Sequence, residues 1–67
     1  MKVKVLLNEE EIHTYTNNAV MPIPRIGEYI SIHGLKTTFE VESVDHIFAS
    51  VNDKHKYEVK LRVKKAI

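Results

Sequence analysis

Apolar and charged residues alternate strictly in the C-terminal segment of the chain, residues 57–64. The apolar positions are Tyr57, Val59, Leu61 and Val63, and the charged positions between them are Glu58, Lys60, Arg62 and Lys64. Successive side chains of a β-strand point to opposite faces, whereas a helix would distribute these charges around its circumference. The alternation therefore predicts a strand with one buried face and one face in water.

A second β-like segment, residues 37–51, is separated from the first by the polar residues 52–56, and we expect the two to pair antiparallel. Its first apolar residues, Phe39 and Val41, are odd-numbered and would lie on one face of a strand, whereas Val44 is even-numbered and would lie on the other face. A β-bulge within residues 43–46 would explain the change and bend the strand. We expect the first face to resume at Ile47, Ala49 and Val51, and we expect two aromatic core residues, Phe39 and Phe48.

Two further strands are predicted in the first half of the chain. One is N-terminal, where Val3, Val5 and Leu7 alternate with lysines. The other covers residues 28–33, opens after Gly27 and ends at a tight turn over residues 34–36. Residues 22–24, Pro-Ile-Pro, cannot lie within a central strand because proline lacks the donor N–H. We expect them to form an extended surface segment.

Residues 8–20 admit two interpretations. Asn8 followed by three glutamates is typical of a helix N-terminus. The β-branched and short polar residues that follow are poor helix formers. They favour a turn over residues 8–10 and a short strand over residues 11–16. Five short strands and no convincing helix predict one small closed or half-closed β-barrel domain that spans residues 1–67.

Three segments carry a resemblance to a known fold family. Residues 24–32 are similar to the P-x-x-G-[DE]-x-[IV]-x-[IV] entry strand of SH3-like barrels, residues 39–48 to the next aromatic strand, and residues 59–63 to the closing strand. The arrangement resembles uncharacterised small SH3-like proteins of bacteria and their phages. The resemblance implies an all-β, SH3-like barrel of about five antiparallel strands. It implies little about function, because one fold carries many functions.

Composition narrows the function classes. The chain has 67 residues, no cysteine, ten Lys plus Arg and nine Asp plus Glu, for a net charge of +1. This balance is unlike the basic excess of most nucleic-acid binders. No apolar run approaches the roughly 18 residues of a membrane span, so we expect a cytoplasmic protein without a membrane partner.

Catalytic and metal chemistry find little support in the sequence. The four histidines, His13, His33, His46 and His55, lack the paired spacing typical of zinc ligands. Asp45 and His46 are adjacent on a predicted strand and should point to opposite faces. The serines lie in no nucleophile motif. We therefore expect no enzymatic activity, no metal and no cofactor.

The charged strand faces offer one candidate site. If the first and last strands are neighbours, their outward cations would form one basic stripe that could bind nucleic acid, with Tyr15 or Tyr29 as a stacking face. The residues of this stripe are Lys2, Lys4, Lys60, Arg62 and Lys64. Alternatively, the stripe is a solvated face whose cations pair with Glu40 and Glu42 on the neighbouring strand.

The apolar loop before the entry strand offers another candidate site. Val20, Met21, Ile23 and Arg25 could form a protein-interaction surface, or the loop could simply close one end of the barrel. The acidic residues 9–11 are either a solvated turn or a docking site for a basic partner. The sequence thus favours a non-catalytic accessory protein that binds a protein partner or self-associates. The alternative is a nucleic-acid-binding small barrel.

Overall fold

The computed structural model describes residues 1–17, 22–48 and 57–66 of the chain. These residues form five β-strands and no helix, so the all-β prediction is confirmed. The strands are β1 Lys2–Leu7, β2 Glu10–Thr16, β3 Tyr29–Ser31, β4 Thr38–Phe48 and β5 Tyr57–Lys65. Together they make one sheet that curls into a half-barrel, consistent with a small SH3-like barrel.

The strands lie in the order β2–β1–β5–β4–β3. The predicted antiparallel pairing of β4 with β5 is confirmed, and so is the predicted adjacency of the first and last strands. β1 and β5 run parallel, however, so the prediction that all strands are antiparallel is wrong at this pair. The alternation of apolar and polar residues is the same in parallel and antiparallel strands, so the sequence pattern does not determine this direction.

The core fills the concave side of the curled sheet. Its fully enclosed members come from the three central strands. They are Val3 and Val5 of β1, Phe39 and Val41 of β4, and Val59, Leu61 and Val63 of β5. The predicted buried face of β5 is therefore confirmed, with Tyr57 half-buried at its start. Burial of these aliphatic groups is the main stabilising contribution in a chain without disulfides.

A two-residue turn joins β1 to β2. Asn8 and Glu9 both have positive φ, at 52° and 63°. Positive φ at both central residues is the signature of the type I′ hairpin turn, whose twist matches that of the flanking strands. The predicted turn is confirmed, and the helix interpretation of this segment is wrong. β2 begins at Glu10, one residue earlier than expected.

The third strand is shorter than the predicted residues 28–33 and covers only Tyr29–Ser31. Gly27 and Gly34, with φ of 89° and 97°, bound it on either side. The turn predicted over residues 34–36 is present, and the Leu35 N–H donates to the Ile32 carbonyl at 3.1 Å. This turn draws Ile32 out of the ladder and ends the strand.

The register of β4 against β5 shifts once, between Val41 and Ser43, immediately before the predicted bulge. Beyond the shift, Val44 lies opposite Leu61 and Phe48 opposite Tyr57, so even-numbered residues face the concave side. Ile47 therefore lies on the convex side, and its prediction as a core residue is wrong. Ala49 and Val51 are outside the described residues.

Phe39 is buried as predicted, but the same prediction for Phe48 is wrong, since its side chain is 74% exposed. β1 pairs with β5 only from Glu58 onward, and β3 pairs with β4 only as far as Glu40. The Phe48–Tyr57 end of the β4–β5 hairpin thus extends past the strands that flank it. No described strand covers Phe48.

Candidate interaction site

The five predicted cations, Lys2, Lys4, Lys60, Arg62 and Lys64, occupy the convex side of the sheet, as expected from their parity. Parallel pairing of β1 with β5 places Lys4 opposite Lys60 and Leu6 opposite Arg62. The structure therefore brings the basic residues of the first and last strands together. We call this convex surface the outer face.

Carboxylates intervene between these cations. The Lys4 Nζ lies 3.2 Å from Glu58 Oε1, and the Lys64 Nζ lies 3.8 Å from Glu40 Oε1. Glu40 thus has its predicted role. Glu42, the other predicted partner, lies at the register shift and forms no ion pair with a described residue.

Arg62 is the most highly paired cation of the outer face. Its Nε donates to Glu9 Oε1 at 2.7 Å, and its Nη1 donates to Asp45 Oδ2. Hydrogen bonding to Arg62 lowers the pKa of the Glu9 carboxyl below its ordinary value, and Glu9 in turn raises the pKa of Arg62. Neither partner was predicted, because Glu9 comes from a distant turn and Asp45 reaches Arg62 only through the shift in β4.

The outer face is consequently a mixed-charge surface. Its five cations stand among four carboxylates, those of Glu9, Glu40, Asp45 and Glu58. Within the described part of the chain, only Lys2 and Lys60 of the five lack an ion pair. Exposed pairs of this kind contribute little to stability, but they cancel the field that a phosphate backbone would need.

The Pro22 to Pro24 segment lies outside the strands, as predicted. Ile23 is half-buried and packs against the core, which agrees with a loop that closes one end of the barrel. Arg25 is exposed and Ile26 is 68% exposed, which agrees with an interaction surface. The other two predicted interaction residues, Val20 and Met21, lie outside the described residues.

Three aromatic rings stack at the end of the β4–β5 hairpin. The Phe48 and Tyr57 ring centroids are 4.8 Å apart with planes 9° apart, and the His46 and Tyr57 rings are 5.8 Å apart at 11°. The His46 Nδ1 also hydrogen-bonds the Tyr57 hydroxyl. The stack holds the exposed Phe48 ring in a fixed orientation on the concave side.

A depression of about 510 Å³ separates this hairpin end from the loop. Ile23 to Ile26 form one wall, and Val44 and His46 form the other. We use the term loop surface for the combined patch, which consists of Ile23, Arg25, Ile26, Val44, His46 and Phe48. The sequence predicted only its loop half, because Phe48 was expected to be an aromatic core residue and nothing in the residue pattern links residues 44–48 to the loop.

A second depression, which we call the edge cleft, lies between β2 and β3 and has a volume of about 300 Å³. Val5 and Leu61 line it together with Tyr15, Ile30 and Ile32. Burial raises the pKa of the Tyr15 hydroxyl. Tyr15 is therefore part of the apolar wall, whereas Tyr29, the other predicted stacking residue, is 66% exposed.

Among the described histidines, His13 and His33 both line the edge cleft, whereas His46 lies at the end of the β4–β5 hairpin. His13 lies 6.0 Å from the ring of Tyr15, and His46 contacts Tyr57, while His55 is outside the described residues. No three His, Asp or Glu side chains in residues 1–17, 22–48 and 57–66 are placed to hold a metal ion. Asp45 and His46 point to opposite faces, as predicted.

Comparisons with protein-family models, curated proteins and solved structures find no match to this chain. The residues that the structure describes include no helix of the length and apolar character needed to cross a membrane. A function for this chain is therefore inferred from the geometry of the two depressions and of the outer face.

Proposed function

We propose that this chain is a non-catalytic protein-interaction module that binds a partner protein through the loop surface. The observation that carries the proposal is a pair of exposed large apolar residues at one apolar depression. Ile26, 68% exposed, lines the depression, and Phe48, 74% exposed, follows the lining residue His46 on the same side of β4. Large apolar residues grouped around a concavity are characteristic of binding surfaces rather than of ordinary exposed surface.

The energetic reason is the apolar area left in water. Each square ångström of apolar surface removed from water contributes about 25 cal/mol, and anchors that fill a pocket contribute most. The stacking of Phe48 on Tyr57 restrains its ring before binding, so little side-chain entropy is lost when a partner covers it.

Charge at the rim of the loop surface favours a partner other than a second copy. Arg25 is exposed beside the depression. A two-fold dimer with Arg25 near its axis would bring the two Arg25 side chains close together, which is unfavourable. We therefore propose a partner that inserts an apolar side chain into the depression and presents a carboxylate to Arg25.

The nucleic-acid alternative receives less support. Three of its five cations, Lys4, Arg62 and Lys64, are engaged with carboxylates on the outer face. A cytoplasmic location and an origin in bacteria or their phages, both expected from the sequence, stay predictions.

Substitutions that remove apolar surface test the proposal directly. We expect Ile26→Ser and Phe48→Ser to abolish co-purification of one protein that the unmodified chain retains from its host cells. With that protein purified, each variant should weaken binding about tenfold or more by calorimetry, as loss of a buried anchor does. Ile47→Ser is the matched control, because Ile47 is 39% exposed on the opposite face of the same strand.

Two results would contradict the proposal. One is a partner whose retention is reduced equally by Ile47→Ser, or by none of the three substitutions. The other is tight binding of oligonucleotides at low salt, measured by fluorescence anisotropy. This binding would have to be weakened by Lys60→Ala and left unchanged by Phe48→Ser. That outcome would favour the nucleic-acid alternative, because phosphate contacts strengthen at low salt.

A further inference from the structure

β2 and β3 are the two edge strands of the sheet, and they flank the edge cleft from opposite sides. No Cα atom of β2 lies within 8 Å of a Cα atom of β3, so the two strands do not hydrogen-bond to each other. Alternate residues of an antiparallel strand point their N–H and C=O groups away from the paired neighbour. Each edge therefore presents, next to the cleft, backbone donors and acceptors that no described strand pairs.

An additional strand would lie between the two edges, whose Cα atoms are everywhere more than 8 Å apart. Insertion of one strand between two others requires about two strand spacings, roughly 10 Å. The cleft is lined mainly by apolar side chains, with Val5 and Leu61 from the core strands and Tyr15, Ile30 and Ile32 from the flanking segments. An inserted strand would bury every second side chain against these residues.

The charges along the two edges specify the partner further. The formally charged side chains of β2 and of residues 28–33 are Glu10, Glu11 and Glu28, with no lysine or arginine among them. Edge-to-edge pairing of two copies would bring these carboxylates together, which is destabilising. The polar residues that line the cleft itself are His13, Ser31 and His33, and the three carboxylates lie along the edge strands beside it. A strand that alternates apolar residues with Lys or Arg would complement the apolar lining and could pair its cations with those carboxylates.

We infer that the edge cleft takes up an extended segment of a partner protein, in which apolar residues alternate with Lys or Arg, as a strand between β2 and β3. The added strand completes the ladder on both edges and closes the half-barrel. Backbone hydrogen bonds supply affinity in this mode, and the alternate side chains supply specificity. Pro24 lines both this cleft and the depression of the loop surface, and the other lining residues of the two differ.

Thr16 offers a specific probe of the backbone edge. The Asn17 N–H donates to the Met1 carbonyl at 2.8 Å, and Thr16 lies opposite Lys2 in the same register. Hydrogen-bonded and non-hydrogen-bonded pairs alternate in such a ladder, so the Thr16 N–H points away from β1. Thr16→Pro removes this N–H donor and keeps the hydrogen bonds between β1 and β2. Thr16→Ala keeps both the N–H donor and those hydrogen bonds.

The inference can be tested by selecting displayed random peptides that bind the full chain. The peptides should have about ten residues, which is the upper range of ordinary strand lengths. We expect the enriched peptides to alternate apolar residues with Lys or Arg. Their affinity, measured by fluorescence anisotropy, should fall about five- to tenfold in Thr16→Pro, the loss expected for one backbone hydrogen bond, and stay unchanged in Thr16→Ala. Ile26→Ser and Phe48→Ser should leave it unchanged, which separates this site from the proposed function.

The inference is overturned if no such peptides are enriched, if acidic peptides are preferred, or if Thr16→Pro binds as tightly as Thr16→Ala. Circular dichroism checks that the proline variant keeps its strand content. If that variant does not fold, hydrogen exchange on the unmodified chain decides. Bound peptide must slow exchange of the Thr16 amide, and an unchanged rate rejects strand addition.

Discussion

Leu61 and Phe48 are large apolar residues on the same concave side of the sheet, yet one is fully buried and the other is 74% exposed. Leu61 lies in β5 between β1 and β4, so strands flank it on both sides. Phe48 lies opposite Tyr57, beyond the point where β1 begins to pair with β5. Residue type predicts both as core members, and only the lengths of the neighbouring strands separate them.

Replacing each of these two side chains by alanine should lower the free energy of unfolding by different amounts. We expect Leu61→Ala to lower the free energy of unfolding by about 2–5 kcal/mol, since it leaves a cavity among enclosed aliphatic groups. Phe48→Ala should cost about 1 kcal/mol or less, mainly the stacking on Tyr57. Urea denaturation followed by circular dichroism measures both.

A small domain can lose its fold entirely after the first substitution, so Leu61→Val provides a milder variant that should cost about 1 kcal/mol. Equal losses for the alanine variants at positions 61 and 48 would contradict the described packing.

At the scale of elements, strict alternation was sufficient to predict β5 and β1, and turn chemistry was sufficient to predict the boundary between β1 and β2. The direction of β5 beside β1 was not predictable, because alternation is identical in parallel and antiparallel strands. The position of the shift in β4 was predicted to within about two residues. The ion-pair partners of Arg62 could not be predicted from the sequence, since their positions depend on that register shift and on the hairpin turn.

The β1–β2 turn requires a positive φ at residue 8, and this requirement can be tested by substitution. Asn8 has a φ of 52°, a conformation that asparagine and glycine tolerate and that β-branched residues adopt only with strain. We expect Asn8→Val to lower the free energy of unfolding by about 1–2 kcal/mol. Asn8→Gly, the matched control, should be neutral within about 0.5 kcal/mol. Thermal denaturation of the three proteins checks this, and a valine variant as stable as the glycine variant would exclude the type I′ turn.

At the scale of the whole molecule, Arg62 connects three parts of the sheet. It lies on β5 and binds Glu9 of the β1–β2 turn and Asp45 of β4. The same network determines how the molecule presents charge, because it neutralises the centre of the outer face. The open edges on the concave side and the loop surface are thus the surfaces best suited to recognition.

The lowered pKa of Glu9 makes part of the stability depend on pH. A carboxyl whose folded-state pKa lies below the ordinary value of about 4.5 contributes stability that is fully present above that pH. The contribution is lost as the pH falls through the folded-state pKa. We therefore expect Glu9→Gln to be less stable than the unmodified chain at neutral pH, and the difference to shrink as the pH falls below about 4.5 and to vanish below the folded-state pKa of Glu9.

Denaturation midpoints measured across this pH range provide the check. Glu42→Gln is the control, because Glu42 is exposed and forms no ion pair with a described residue. The same pH profile in both variants would show that the Glu9–Arg62 contact has no role in stability.

The central position of β5 has a consequence for synthesis on the ribosome. β5 bridges the β1–β2 hairpin to the β3–β4 pair, and it is translated after all four of those strands. Until it emerges, the nascent chain holds two separate hairpins whose apolar faces have no common core, and isolated hairpins are marginally stable in water. Folding of this sheet is therefore expected to be concerted and to wait until β5 has emerged, and a nascent chain that stalls before residue 57 should remain a substrate for chaperones and proteases.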